Sequence, residues 1–324
     1  MLENGAKLPH SVMTSRIIVS AVLAALLISQ EHSSSAKASQ PSVQIAELPD
    51  GIRLHYVEMG AGSSIVFVHG SLSDYDYWSD QIGFFSKRYC ALAYSRRYDY
   101  PNVNPPRPGY SAITDAEDLA SLIGVLRLGK VVVVGHSYGG LVALFLAAKH
   151  PDLVRALVLA EPPAIGLLQN LPGQEAHSGE AMFDDIQRRM VAPMRRAFRR
   201  GETETGVADF IDYVFDDSSA WSKLSESSRT QTLRNAHEWE VMLPTGTLFP
   251  TLAPETVQNI RVPVLLLSGA KSYPFLRLIT EELGRLLPNS GTVVLPNAGH
   301  QMWIQDPEIC RRDVEHFLAR NGVR

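Results

Sequence analysis

Short, near-continuous apolar runs recur along most of the chain: Ile52–Glu58, Ile65–Val68, Tyr89–Tyr94, Val131–Val134, Ala156–Ala160, Val264–Ser268 and Thr292–Leu295. Each is rich in β-branched or aliphatic residues and bounded by turn formers, which predicts strands. Between them, segments such as Asp115–Arg127 and Gly139–His150 place apolar residues at i, i+3 and i+4, the helical period. Apolar strands alternating with helices predict an α/β fold, a mostly parallel doubly wound sheet covered on both faces. The alternation breaks once. Residues 162–260 hold no good strand, only charged stretches bearing Met and aromatic residues, such as Met182–Arg200, Gly206–Phe215 and Ser228–Met242. Pro162-Pro163 and Arg261-Val262-Pro263 punctuate the two ends. The expected organisation is a core of residues 39–161 and 261–324 with an inserted helical cap.

The first 38 residues read differently. Lys7, His10 and Arg16 precede an apolar run from Ile17 to Ile28, followed by the small polar stretch Ser33-Ser34-Ser35-Ala36-Lys37-Ala38. Basic, apolar and small-residue regions in that order predict a signal peptide and hence an exported, periplasmic or secreted, protein. The apolar run falls short of the roughly 20 residues a spanning helix needs, so an uncleaved N-terminal anchor is the secondary alternative. Met13 is an alternative start, and cleavage after Ala36 or Ala38 leaves about 286 residues.

Composition narrows the class. The 324 residues are 45% hydrophobic and 20% charged, enough for a large core. Thirty basic against thirty-four acidic residues give a net charge of −4, so no general basic surface exists to neutralise a phosphate backbone, and nucleic acid is not an expected partner. Cys90 and Cys310 are expected as buried thiols rather than a bridge. The ten histidines show no metal-ligand spacing, and no cofactor is expected. Arg188, Arg189, Arg195, Arg196, Arg199 and Arg200 cluster in the cap; they are read as a solvated helix face partnered by Asp184 and Asp185, with attraction of an anionic substrate as the alternative.

The chemistry concentrates at Gly135-His136-Ser137-Tyr138-Gly139, directly after one apolar strand and before a helix. In that context the pattern is a nucleophile elbow, which lifts the serine hydroxyl above the sheet, so Ser137 is the expected nucleophile. Asn297-Ala298-Gly299-His300 follows the last strand and reaches the same edge. Serine needs a base within hydrogen-bond reach, and His300 is the expected one.

With these motifs, the His69-Gly70-Ser71 turn and the run from Val262 to Gly269, the sequence resembles the α/β-hydrolase superfamily over essentially the whole mature chain. The resemblance implies a Ser–acid–His triad and an oxyanion hole of backbone N–H groups from Tyr138 and Ser71, Leu72 being the alternative to Ser71. The chain departs from the superfamily pattern in two places. Gly269-Ala270-Lys271-Ser272 carries serine where many relatives carry the acid, and Ser95-Arg96-Arg97-Tyr98 stands where many have Asp-x-Arg-Gly. Glu161, ending the strand Val158-Leu159-Ala160-Glu161, is the replacement acid. A carboxylate after four apolar residues costs free energy unless it is paired, which itself argues for a partner. Asp306, Glu281 and Glu282 are the alternatives, with Asp306 better explained as the cap of the last helix.

Tyr75, Trp78 and Trp303 on catalytic-edge loops are expected to line a substrate pocket. With Met182, Phe183, Met190, Phe210 and Trp239 of the cap they would make it largely apolar. The expected activity is hydrolysis of a small carboxylic ester or lactone through an acyl-enzyme. Cleavage of a carbon–carbon bond in a β-diketone type substrate, or peracid formation, would use the same triad, and a non-catalytic ligand-binding protein on the same scaffold is the rival from another class. Oligomeric state leaves no signal in the sequence.

Overall fold

The computed structural model describes residues 41–245 and 247–324. The expected signal peptide lies outside the described residues. Eight strands form one sheet: β1 (Gln44–Glu47), β2 (Arg53–Met59), β3 (Ser64–Val68), β4 (Cys90–Tyr94), β5 (Val131–His136), β6 (Val154–Ala160), β7 (Val264–Gly269) and β8 (Ser290–Leu295). Their order is β1-β2-β4-β3-β5-β6-β7-β8, with β2 antiparallel to both its neighbours and the rest parallel. Every residue of β3, β5 and β7 is buried, which is why these strands read as unbroken apolar runs.

Side chains alternate between two cores. Val66, Val68, Val131, Val133, Leu157, Leu159 and Leu266 face one layer; Ile65, Phe67, Val132, Val134, Val158, Ala160, Leu265 and Leu267 face the other. Helices α1 (Ser79–Phe85), α2 (Ala112–Val125) and α3 (Tyr138–Lys149) follow the first strands. The insertion between β6 and β7 is helical, as expected: α4 (Glu175–Ile186), α5 (Ala192–Arg199), α6 (Thr203–Val214), α7 (Ala220–Lys223), α8 (Glu226–Leu233), α9 (His237–Met242) and α10 (Pro254–Gln258). Helices α11 (Pro274–Leu286), α12 (Met302–Gln305) and α13 (Pro307–Arg320) complete the fold. Ile186, Met190, Met194, Trp239 and Met242 of the insertion pack into the same core cluster as α2 and α3.

Two of the cap stretches expected to be helical are irregular. In Met182–Arg200, a π-helical turn at Gln187–Val191 precedes α5, where Pro193 has no N–H to donate. In Ser228–Met242 the break between α8 and α9 carries buried Asn235, whose side chain donates to Asp74 Oδ2 at 2.9 Å and accepts the Tyr100 N–H at 2.7 Å. Cys90 is half-buried and Cys310 buried, both as free thiols. Among the described residues no helix is long and apolar enough to cross a membrane.

Candidate active site

The C-terminal ends of β3 to β8 converge on one edge of the sheet, and the candidate residues lie in the loops leaving it. Ser137 follows β5 with φ +51, and its side chain makes no capping bond to α3, so the hydroxyl is not consumed by the helix. The sharp turn is carried by Ser137 itself. Gly135 and Gly139 supply space, because a Cβ would stand 2.5 Å from the Gly139 carbonyl oxygen in the first case and 2.2 Å from the Val68 carbonyl oxygen in the second. Tyr138 begins α3, where the first N–H groups have no intrahelical acceptor.

Glu161 leaves β6 with φ +48 and is wholly buried. Its carboxylate is fully engaged: Oε1 accepts the Gly269 N–H at 2.8 Å and the Ser268 hydroxyl at 3.3 Å, and Oε2 lies 2.7 Å from His300 Nδ1. A carboxylate at Nδ1 makes that nitrogen the donor and leaves Nε2 with its lone pair, the state a general base requires. Asp306 sits at the start of α13, yet its side chain makes no capping hydrogen bond, which corrects its expected role. Ser272, at the position where relatives carry the acid, is buried with its hydroxyl unpartnered among the described residues.

The His300 loop is clamped from beside the elbow. His136 donates from Nε2 to the His300 carbonyl oxygen at 2.8 Å, its ring stacks on Tyr77 at 5.3 Å, and the Tyr77 hydroxyl donates to Gln301 Oε1 at 3.2 Å. Burial, reinforced by the nearby His300, pushes His136 down to about 3, so it stays neutral and keeps the proton it donates. In the sequence His136 is recognisable only as part of the elbow motif.

The turn after β3 is held from two sides. His69 Nδ1 donates to the Gly70 carbonyl at 2.8 Å while its Nε2 accepts the Arg96 N–H at 3.0 Å; burial, then the Arg96 charge, holds this histidine neutral. Gly70 abuts Ser137, since a Cβ there would lie 3.1 Å from Ser137 Cβ. Leu72 donates its N–H to Glu238 Oε1 at 2.6 Å, so that group is taken and the alternative to Ser71 as second oxyanion donor falls away.

The expected pocket needs correction. Trp78 and Trp303 are buried edge-to-face against each other, 5.2 Å apart, in the core beneath the sheet, and cannot line a water-filled pocket. Tyr75 is half-buried beside them. Met190 and Trp239 are likewise packed inside the cap. A surface pocket of about 110 Å³ within the insertion is lined by Ile165, Phe183, Val191, Leu248 and Phe249 but also by Gln169, Gln187 and Arg195, and Ser137, Glu161 and His300 are not among its lining residues. In the arginine cluster Asp185 pairs with Arg188 and Arg189, at 3.2 and 3.3 Å, and Glu202 lies 4.0 Å from Arg200. Among the described residues no group of three or more His, Cys, Asp or Glu is arranged to hold a metal ion.

Known proteins share this architecture. The chain is 28% identical over 275 residues to a 2-(acetamidomethylene)succinate hydrolase of Mesorhizobium japonicum, covering 82% of this chain and 92% of that one. A thermophilic esterase of Thermogutta terrifontis superposes with a TM-score of 0.67 at 22% identity, covering 86% of this chain and 99% of that one. The N-acyl homoserine lactone degrading enzyme Est816 does so with a TM-score of 0.63 at 21% identity, covering 85% and 100%. The profile of the alpha/beta hydrolase family matches residues 65–312, more than half of the sequence, and the chain belongs to that family.

Proposed function

We propose that this protein is a serine hydrolase that cleaves a small carboxylic ester or lactone with Ser137, His300 and Glu161. The observation that carries the reading is the 2.7 Å bond between His300 Nδ1 and a buried, fully hydrogen-bonded Glu161, on the same sheet edge as a serine raised on a strained elbow. His300 Nε2 takes the proton of the Ser137 hydroxyl as its oxygen attacks the carbonyl carbon. The resulting oxyanion is held by the N–H groups of Tyr138 and Ser71. The tetrahedral intermediate collapses, His300 gives its proton to the leaving alkoxide, and an acyl-Ser137 remains. Water then attacks the acyl carbon, with His300 as base, and releases the acid. The esterase and lactonase names of the structural neighbours are consistent with this chemistry. Export, read from the leader, belongs to the same proposal.

The test is hydrolysis of p-nitrophenyl esters from acetate to dodecanoate and of a lactone series, with Ser137→Ala as the blank. The reading expects turnover that drops by about 10³-fold or more in the variant. Undiminished turnover in a folded Ser137→Ala protein contradicts it. Failure on every ester and lactone combined with cleavage of a β-diketone moves the same triad to carbon–carbon bonds.

A further inference from the structure

Leu72 holds an unusual backbone. Its φ of +56 is one of five positive values at non-glycine residues among the described residues, and the only one of them in the turn after β3. Such a conformation costs on the order of 1–3 kcal/mol and persists only where its surroundings enforce it. What enforces it here comes from the cap. Glu238 on α9, 166 residues further along the chain, accepts the Leu72 N–H at 2.6 Å through Oε1, and through Oε2 it pairs with Arg96 Nη2. Arg96 in turn donates from the same nitrogen to the Gly70 carbonyl oxygen at 3.2 Å. One buried ion pair therefore grips both peptide units that flank Ser71.

The geometry of the peptide unit gives this grip its consequence. In a planar trans peptide the Gly70 C=O and the Ser71 N–H point in opposite directions. Arg96 and His69 fix the carbonyl, so they fix the direction of the N–H as well. Arg96 also lies over the Tyr138 ring, 4.9 Å from its centroid, and so touches the residue that supplies the other N–H. Arg96 and Glu238 are fully buried, where an ion pair is worth little to stability but holds its partners in one geometry.

We propose that Glu238 of the cap is a positioning residue for the oxyanion hole, acting with Arg96 to aim the Ser71 N–H, so that the hole is complete only when α9 is seated. The proposal rests on the serine-hydrolase reading above. Arg96, at the variable position of the Asp-x-Arg-Gly pattern, is the buried cation around which the turn after β3 and the cap helix are organised. Asp115 and Asp99 lie 3.0 and 3.3 Å from the same guanidinium, so loss of the Glu238 charge leaves Arg96 compensated.

The experiment is ester kinetics on Glu238→Gln and Glu238→Asp, with Glu240→Gln on the exposed face of the same helix as control and Ser137→Ala as blank. The glutamine keeps the shape and loses the charge; the aspartate keeps the charge and is one methylene too short to span Leu72 and Arg96. In both, kcat is expected to fall about 10- to 100-fold with KM changed less than about threefold, the pattern of a donor used only in the transition state. Affinity for benzeneboronic acid, whose adduct with Ser137 places an oxygen in the hole, falls in parallel. Glu240→Gln behaves as wild type. Should one Glu238 variant fail to fold, judged by its melting curve, the other decides. Ser137-dependent turnover that is unchanged in a folded Glu238 variant overturns the proposal alone, whereas turnover that survives in Ser137→Ala removes the underlying reading.

Discussion

Glu161 shows how one side chain settles a problem that the sequence poses. An ionised carboxylate without partners is prohibitively costly in a wholly buried position, so donors must be supplied. Here the end of β7 supplies two, the Gly269 N–H and the Ser268 hydroxyl, and His300 supplies the third. In the proposed triad the serine at position 272 and the glutamate at 161 are two halves of one rearrangement, the acid standing one strand inward with a longer side chain that reaches His300. His136 works at the same scale. Its neutral imidazole holds the His300 carbonyl, and the unfolded chain takes up a proton there below about pH 6.5 that the folded chain refuses until about pH 3. Stability contributed by this group is thus present above pH 6.5 and lost as pH falls through that window, by about 2 kcal/mol between pH 7 and pH 5. His136→Phe, which cannot take up that proton, is expected to be less stable than wild type at pH 7, with the deficit shrinking as pH approaches 5. Denaturant unfolding at the two pH values measures it; a deficit that is constant or grows contradicts the assignment of a neutral, buried His136.

At the scale of elements, the strands were legible because burial on both faces writes itself as an uninterrupted apolar run, as in Val131–Val134 and Val264–Ser268. β1 was not, since four residues with only Ala46 buried carry no such signature. The elbow was legible from its flanking glycines, and the structure gives the reason they are there: α3 crosses β3 too closely for a side chain at position 139. Gly139→Ala would drive a methyl group into the Val68 carbonyl, which no rotamer change relieves. The variant is expected to lose more than about 2 kcal/mol of stability, read as a lower melting temperature or loss of soluble protein, and a wild-type melting curve contradicts the packing described. Aromatic residues were the least legible. Trp78, just before α1, and Trp303, in α12, pack in the same core layer, and nothing in their spacing tells a pocket wall from a packed pair. Glu238 and Arg96 left no sequence trace either, because a buried ion pair between residues 142 apart produces no periodicity.

Over the whole molecule, the cap is joined to the core by more than its two chain connections. Its apolar residues share a continuous cluster with α2 and α3, and Glu238 and Asn235 bind the turn after β3 and the loops beside it. The catalytic edge is thereby covered by helices that take part in its geometry. The net charge of −4 is spread over a chain whose dense basic cluster, on the π-helical turn Gln187–Val191 and on α5, is partly neutralised by Asp185. The central claim, that Ser137 is the nucleophile of this edge, has a direct test: treat the protein with a fluorophosphonate and locate the adduct by peptide mass spectrometry. Attack by the Ser137 oxygen forms an O–P bond and expels fluoride, with the proton passing to His300. The account predicts one equivalent of label on the peptide carrying Ser137, complete loss of esterase activity, and labelling slowed by at least about 10²-fold in His300→Ala. An enzyme that hydrolyses esters while Ser137 stays unlabelled, or that keeps its activity once Ser137 is labelled, contradicts it.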